Sequence, residues 1–226
     1  MKHKLIMLAL AAASSALLAL PVVASAAEWT IDSETGALPT FTSSGGAAKL
    51  TSSGFGAFLP IECSHNTDSG KYTSTTTLVV TMAFTECTQS GNTCTTPGQP
   101  AGTIKTTELV SHNIMIDNTE QGGTPGLLIT TNNGHFATFV CGGSTFVIDG
   151  NGIIGDVSSP KCGAAFSKTF TLVFATLSAG NQKYKLVETT GTSYDLVTTT
   201  AVSTLTTGLD VTFTRTFNQG VKMTCP

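Results

Sequence analysis

Arginine is nearly absent from this chain: Arg215 is the only one in 226 residues. Lysine and arginine together number 11 against 14 acidic residues, and 11% of the chain is charged. A nucleic-acid backbone is gripped by clustered Lys and Arg, so this scarcity argues against a nucleic-acid partner. It argues equally against electrostatic docking on an anionic membrane. Strong helix formers such as Lys, Glu and Arg are few while glycine reaches 23, so almost nothing reads as helix. No C-x-x-C pair, no H-E-x-x-H and no G-x-S-x-G elbow occurs, which leaves zinc-knuckle, zincin and α/β-hydrolase chemistry without a signature.

What the chain does contain begins with an export signal. Lys2 and Lys4 precede an apolar run from Leu5 to Leu20, Pro21 breaks it, and Ala24-Ser25-Ala26 offers small residues for cleavage. The run is short for a membrane span. The sequence therefore predicts a signal peptide over 1–26 and no transmembrane segment in the mature chain. Without Lys2 and Lys4 the balance becomes 9 basic against 14 acidic residues, a net charge of −5. The expected location is extracellular or at the cell envelope.

All six cysteines, Cys63, Cys87, Cys94, Cys141, Cys162 and Cys225, fall after the signal. An even count in an oxidising compartment reads as disulfides. Cys87 and Cys94 stand close together, flanking TQSGNT, and are expected to bridge each other across that loop. Closing so short a loop is worth about 2.5 kcal/mol on the chain-entropy account.

Period-two alternation dominates the remainder. LVVTMAF sets Leu78, Val80, Met82 and Phe84 against Val79, Thr81, Ala83 and Thr85; TFTLVFATL repeats the pattern from Phe170. LDVTFTRTF sets Leu209, Val211, Phe213, Arg215 and Phe217 against Asp210 and three threonines, an apolar face interrupted once by Arg215. Turn signals at Asn132-Asn133-Gly134, Asp149-Gly150-Asn151-Gly152 and Asn218-Gln219-Gly220 separate such runs. The expected fold is a single all-β domain, an antiparallel β-sandwich or barrel-like structure over 50–226. An N-terminal extension over 27–49 is expected to precede it, with a Ser/Gly-rich loop from Thr42 to Gly54.

Each candidate for chemistry has a plainer explanation. GNGIIG, Gly150 to Gly155, matches G-x-G-x-x-G, but no helix pattern and no suitably placed acid follow, so it reads as a glycine-rich β-turn. Asp149 and Asn151 open like a calcium loop whose twelfth position is Pro160. His65, His112 and His135 sit singly, His112 as a sheet histidine, and Asp68-Ser69-Gly70 reads as a turn. Glu62, Glu86, Glu108 and Glu188 are carboxylates of which the sequence selects no pair. Trp29 falls in the extension and Tyr72, Tyr184 and Tyr194 are scattered, unlike the aromatic rows of sugar-binding sheets. No catalytic, cofactor-binding or metal-ligating residue is assigned.

One longer pattern has a counterpart elsewhere. IECSHNTDSGKYT, LVVTMAFTEC, SGNTCTTPGQPAGTIKTTEL, FVCGG, FVIDGNGIIGDVSSP and SKTFTLVF follow one another from about Leu50 to Phe217. That order resembles a family of uncharacterised exported β-proteins of soil actinobacteria, especially the Thermoleophilia. The family has no established activity, so the resemblance carries over no functional site. It implies counterparts of Cys63, Cys87, Cys94 and Cys141 that satisfy one another, hence Cys63 with Cys141 if Cys87 takes Cys94. Cys162 and Cys225 depart from the pattern and are expected to form an extra bridge at the C-terminus. The function expected is a secreted or envelope-associated non-catalytic β-domain that binds an extracellular or cell-wall ligand or serves structurally. The alternative is a secreted hydrolase whose site assembles only in three dimensions.

Overall fold

The structure, a computed structural model, describes residues 27–53, 60–116, 124–132, 134–177, 180–184 and 194–226. The expected signal segment, Asn133 and Glu188 lie outside them. The described residues contain no helix and form strands throughout. The first nine are β1 (Thr30–Ser33), β2 (Thr40–Ser44), β3 (Ala48–Ser52), β4 (Ile61–Cys63), β5 (His65–Tyr72), β6 (Thr77–Thr85), β7 (Thr88–Gln89), β8 (Asn92–Thr95) and β9 (Ile104–Lys105). Then come β10 (Leu109–Ile116), β11 (Thr124–Thr131), β12 (Ala137–Cys141), β13 (Ser144–Gly150), β14 (Ile153–Ser159), β15 (Ser167–Phe174), β16 (Leu196–Thr199) and β17 (Thr204–Thr224).

Eight of these close an antiparallel barrel in the order β17, β2, β5, β6, β10, β11, β14, β15 and back to β17. The additional strands close a second circuit of pairings: β17, β3, β4, β7, β8, β12, β13, β16 and again β17. β17 belongs to both because it is 21 residues long, several times an ordinary strand. Its odd-numbered residues from Leu205 to Phe217 are buried. From Thr212 to Asn218 its even-numbered residues are exposed. Both circuits thus pack on one face of the same strand, and their apolar residues form one contiguous core.

The segment expected to be an extension supplies β1, β2 and β3. Trp29 is fully buried against Phe170, and its Nε1 donates to Gly126 O at 2.8 Å. Thr42 to Ser52, read as the start of a loop, carries most of β2 and all of β3, because serine and threonine fit the outward positions of a pleated strand. Asp68-Ser69-Gly70 lies inside β5, and Asn218-Gln219-Gly220 lies inside β17, so neither is a turn. GNGIIG joins β13 to β14 in a turn where Gly150 and Gly152 adopt φ of 123° and 144°.

The bridges are Cys63–Cys87, Cys94–Cys141 and Cys162–Cys225. The last was expected; Cys87–Cys94 and Cys63–Cys141 are not formed. The reason is the register. Glu62 faces Thr88 and Thr88 faces Thr93, while Cys94 faces Cys141, so four cysteines stand in one row across β4, β7, β8 and β12. Joining the middle two would leave the outer two about 14 Å apart, three strand spacings, beyond disulfide reach. Pairing neighbours satisfies all four, with Cα–Cα distances of 4.0 and 4.2 Å.

Candidate functional site: a cleft between three hairpin tips

The interior offers little room. Its apolar cavity measures about 60 Å³ and is lined by Ile61, Met82, Phe139, Ile148, Leu209 and their neighbours. A cavity of about 150 Å³ is needed to hold benzene, so this space is a packing void. Elsewhere a buried polar set sits among the apolar residues of the barrel. Arg215 Nε and Nη2 donate to Asp68 Oδ2 at 2.9 and 2.7 Å, and the guanidinium stacks 4.3 Å from the Phe41 ring centroid. Ser43 Oγ accepts the Asp68 amide at 2.8 Å, and Tyr72 Oη donates to Asn113 Oδ1 at 3.3 Å. Burial raises the Tyr72 pKa, against smaller lowering effects of Arg215 and of the hydrogen bond to Asn113. These groups are sealed from solvent and serve the fold.

The outer surface is different where the cysteine row reaches its end. The β7–β8 hairpin turns through Ser90 and Gly91, whose φ values of 51° and 80° are those of a type I′ turn. The β12–β13 hairpin turns in the same way through Gly142 and Gly143, at 54° and 84°. A Cβ on Gly142 would lie 3.1 Å from Asn92 Cγ, so glycine lets the two tips pack together. The third tip, Thr200 to Ser203, joins β16 to β17; Thr200 Oγ1 accepts the Val202 and Ser203 amides at 3.4 and 3.2 Å.

Between these tips lies an open cleft of about 500 Å³. Gln89 and Ser90 form one wall, Gly143 to Phe146 the second, and Thr200 to Ser203 the third. Its lining is hydroxyl, amide and apolar, with no charged side chain. Val202 is 93% exposed at the rim, the most exposed large hydrophobic residue described. Cys87, Cys94 and Cys141 lie directly beneath two of the tips, so both bridges of the row stiffen the walls. Three hairpin tips, two of them with disulfides beneath, thus frame an open and uncharged concavity.

The structure brings some sequence candidates together. His135 Nδ1 contacts Asp149 Oδ1, and His65 Nε2 lies 3.9 Å from Glu86 Oε2; both pairs are surface-exposed. His135 also borders a groove with Lys105, Thr107 and Thr138, where Thr107 Oγ1 donates to His135 O at 2.8 Å. Lys49 Nζ holds Glu62 at 3.0 Å, Glu108 is exposed, and His112 lies on β10, half-buried. Tyr184 and Tyr194 pack on an outer cluster of Ile114, Ile116 and Ile154. Among the described residues no group of three or more His, Cys, Asp or Glu is placed to hold a metal. Sequence reasoning named TQSGNT as a loop but missed its two partner tips. The dipeptides Ser90-Gly91 and Gly142-Gly143, each between strand patterns, were the available signal.

Comparison with protein-family models, with curated proteins and with solved structures finds no match to this chain. No residue role therefore comes from a relative, and function rests on the geometry above.

Proposed function

We propose that the chain is an exported, non-catalytic β-domain, secreted or held at the cell envelope, that binds an extracellular or cell-wall ligand in the hairpin-tip cleft. The cleft itself carries the reading: it is the place where an open concavity, hydrogen-bonding groups and a disulfide-fixed frame coincide. Its ligand is uncharged, because the cleft offers no counter-charge to a desolvated ion. The signal segment and three disulfides support an oxidising, extracytoplasmic setting. Among the described residues no helix is long and apolar enough to cross a membrane, and the outward faces of β2 and β17 present Thr40, Thr42, Thr214 and Thr216 to water.

The test is capture by the purified oxidised protein from isolated cell wall, secreted proteins and a panel of neutral and charged polysaccharides. Val202→Lys and Ser144→Lys, at exposed positions, leave the fold intact and abolish saturable capture. Capture that both variants retain places binding elsewhere and overturns the assignment.

The hydrolase alternative rests on the His135–Asp149 contact. It requires turnover of an ester or glycoside by the oxidised protein that His135→Ala removes.

A further inference from the structure

The three disulfides differ sharply in access. Cys87 and Cys94 are 0% exposed, Cys141 2% and Cys63 7%, so both bridges of the row are closed to reagents. Cys162 is exposed, and Cys225 is half-buried at the edge of the core. Thiol–disulfide exchange needs in-line approach of a thiolate to a sulfur, so access decides which bridge reacts. Lys161, also exposed, immediately precedes Cys162 and is the adjacent positive charge along the chain.

The local architecture also holds the segments around both cysteines by backbone pairing as well as by this bridge. β17 is held just before Cys225 by pairing with β1, from Val221 against Ser33 to Thr224 against Thr30. Gly163 N donates to Met223 O at 3.1 Å, which anchors the turn carrying Cys162 independently of the sulfurs.

We propose that Cys162–Cys225 is an exchange site for small thiols, able to form a mixed disulfide while the barrel stays folded. A thiolate attacks Cys162 Sγ, a new S–S bond forms there, and the Cys162–Cys225 bond breaks. Cys225 leaves as a thiolate and takes a proton from water. One disulfide is exchanged for another, so no net oxidation or reduction occurs. A molecule joined in this way is attached at the barrel end where β1 and the last turn of chain meet.

The experiment treats the oxidised protein with graded reduced glutathione, quenches in acid, alkylates free thiols and maps the cysteines by mass spectrometry. The expected product carries glutathione on Cys162 and alkylation on Cys225, with Cys63–Cys87 and Cys94–Cys141 intact and Trp29 fluorescence unchanged. At low salt, Lys161→Glu slows adduct formation by about threefold or more, the size expected when attraction of an anion becomes repulsion at a solvent-exposed site. The double variant Cys162→Ser/Cys225→Ser folds and forms no adduct. Modification of the four buried cysteines as early as Cys162, or an adduct that appears only as Trp29 becomes exposed, overturns the proposal.

Discussion

Asp68→Asn is the most informative single change to the fold, because it removes a charge and hardly alters shape. Asp68 and Arg215 are 3% and 2% exposed, so neither has water to fall back on. Both hydrogen bonds from the guanidinium land on one carboxylate oxygen. Removing one partner of such a pair leaves a buried, unmatched charge and costs about 3–5 kcal/mol. For a domain of this size each kcal/mol lowers Tm by roughly 2–4 °C, so the variant should melt about 6–20 °C below the parent. The pair as a whole contributes much less: Asp68→Leu/Arg215→Met restores an apolar lumen, and its stability should lie within about 2 kcal/mol of the parent or above it. Urea and thermal unfolding of the oxidised double variant and of Asp68→Leu and Arg215→Met singly, followed by the single tryptophan, give the coupling energy. The destabilisation should persist in high salt, since a buried pair is little screened. Single variants that each cost under about 1 kcal/mol, or a double variant as poor as their sum, would refute the reasoning.

A non-reducing peptide map of the native protein should recover Cys63–Cys87, Cys94–Cys141 and Cys162–Cys225; a Cys87–Cys94 peptide would overturn the four-cysteine row. Cys94→Ser/Cys141→Ser opens a bridge spanning 47 residues and should cost about 4 kcal/mol on the chain-entropy account, read as a shift in urea midpoint. Trp29→Ala removes a buried indole and its bond to Gly126 and should cost about 3–5 kcal/mol, against near neutrality if residues 27–33 were a detachable extension. Burial raises the Asp156 pKa above its ordinary 3.8, opposed in part by Lys161 and Lys183. The folded state therefore binds that proton more tightly than the unfolded chain. Stability should decline as pH rises from below 3.8 through the raised value, and Asp156→Asn should flatten that stretch of the profile.

The strands legible in sequence were those with one dry and one wet face. β6, β15 and the middle of β17 alternate cleanly because one side meets the core and the other meets water. β2, β3 and β5 escaped because their buried residues include Ser43, Ser52, Asn66 and Asp68, so the apolar half of the pattern is interrupted. Of these, Asp68 and Ser43 adjoin Arg215, whose place on an apolar face was visible while its partner, 147 positions away, was not. The cysteine pairing failed for a related reason. Separation along the chain favours Cys87 with Cys94, whereas the row is created by β4 and β12, which reach it from distant parts of the sequence. The cleft was one-third legible: TQSGNT stood out, but nothing local to it indicates that Gly142-Gly143 and Thr200 to Ser203 will stand beside it.

Closure of both circuits also explains how so weakly charged a chain can be built almost wholly of strands. Threonine-rich strands with few charges are poor at repelling one another, and an open edge among them would invite pairing with a second molecule. Natural sheets often defend their edges with lysine, yet here 11% of residues are charged. Returning both circuits to β17 removes most edges by topology and relieves the composition of that task. Where pairing does end, the edge is short. β1 spans four residues and bears Asp32 opposite Lys222, and β9 spans two and bears Lys105. Asp32, Lys222 and Lys105 thus place charge where closure cannot reach. The neutral cleft can then go without it.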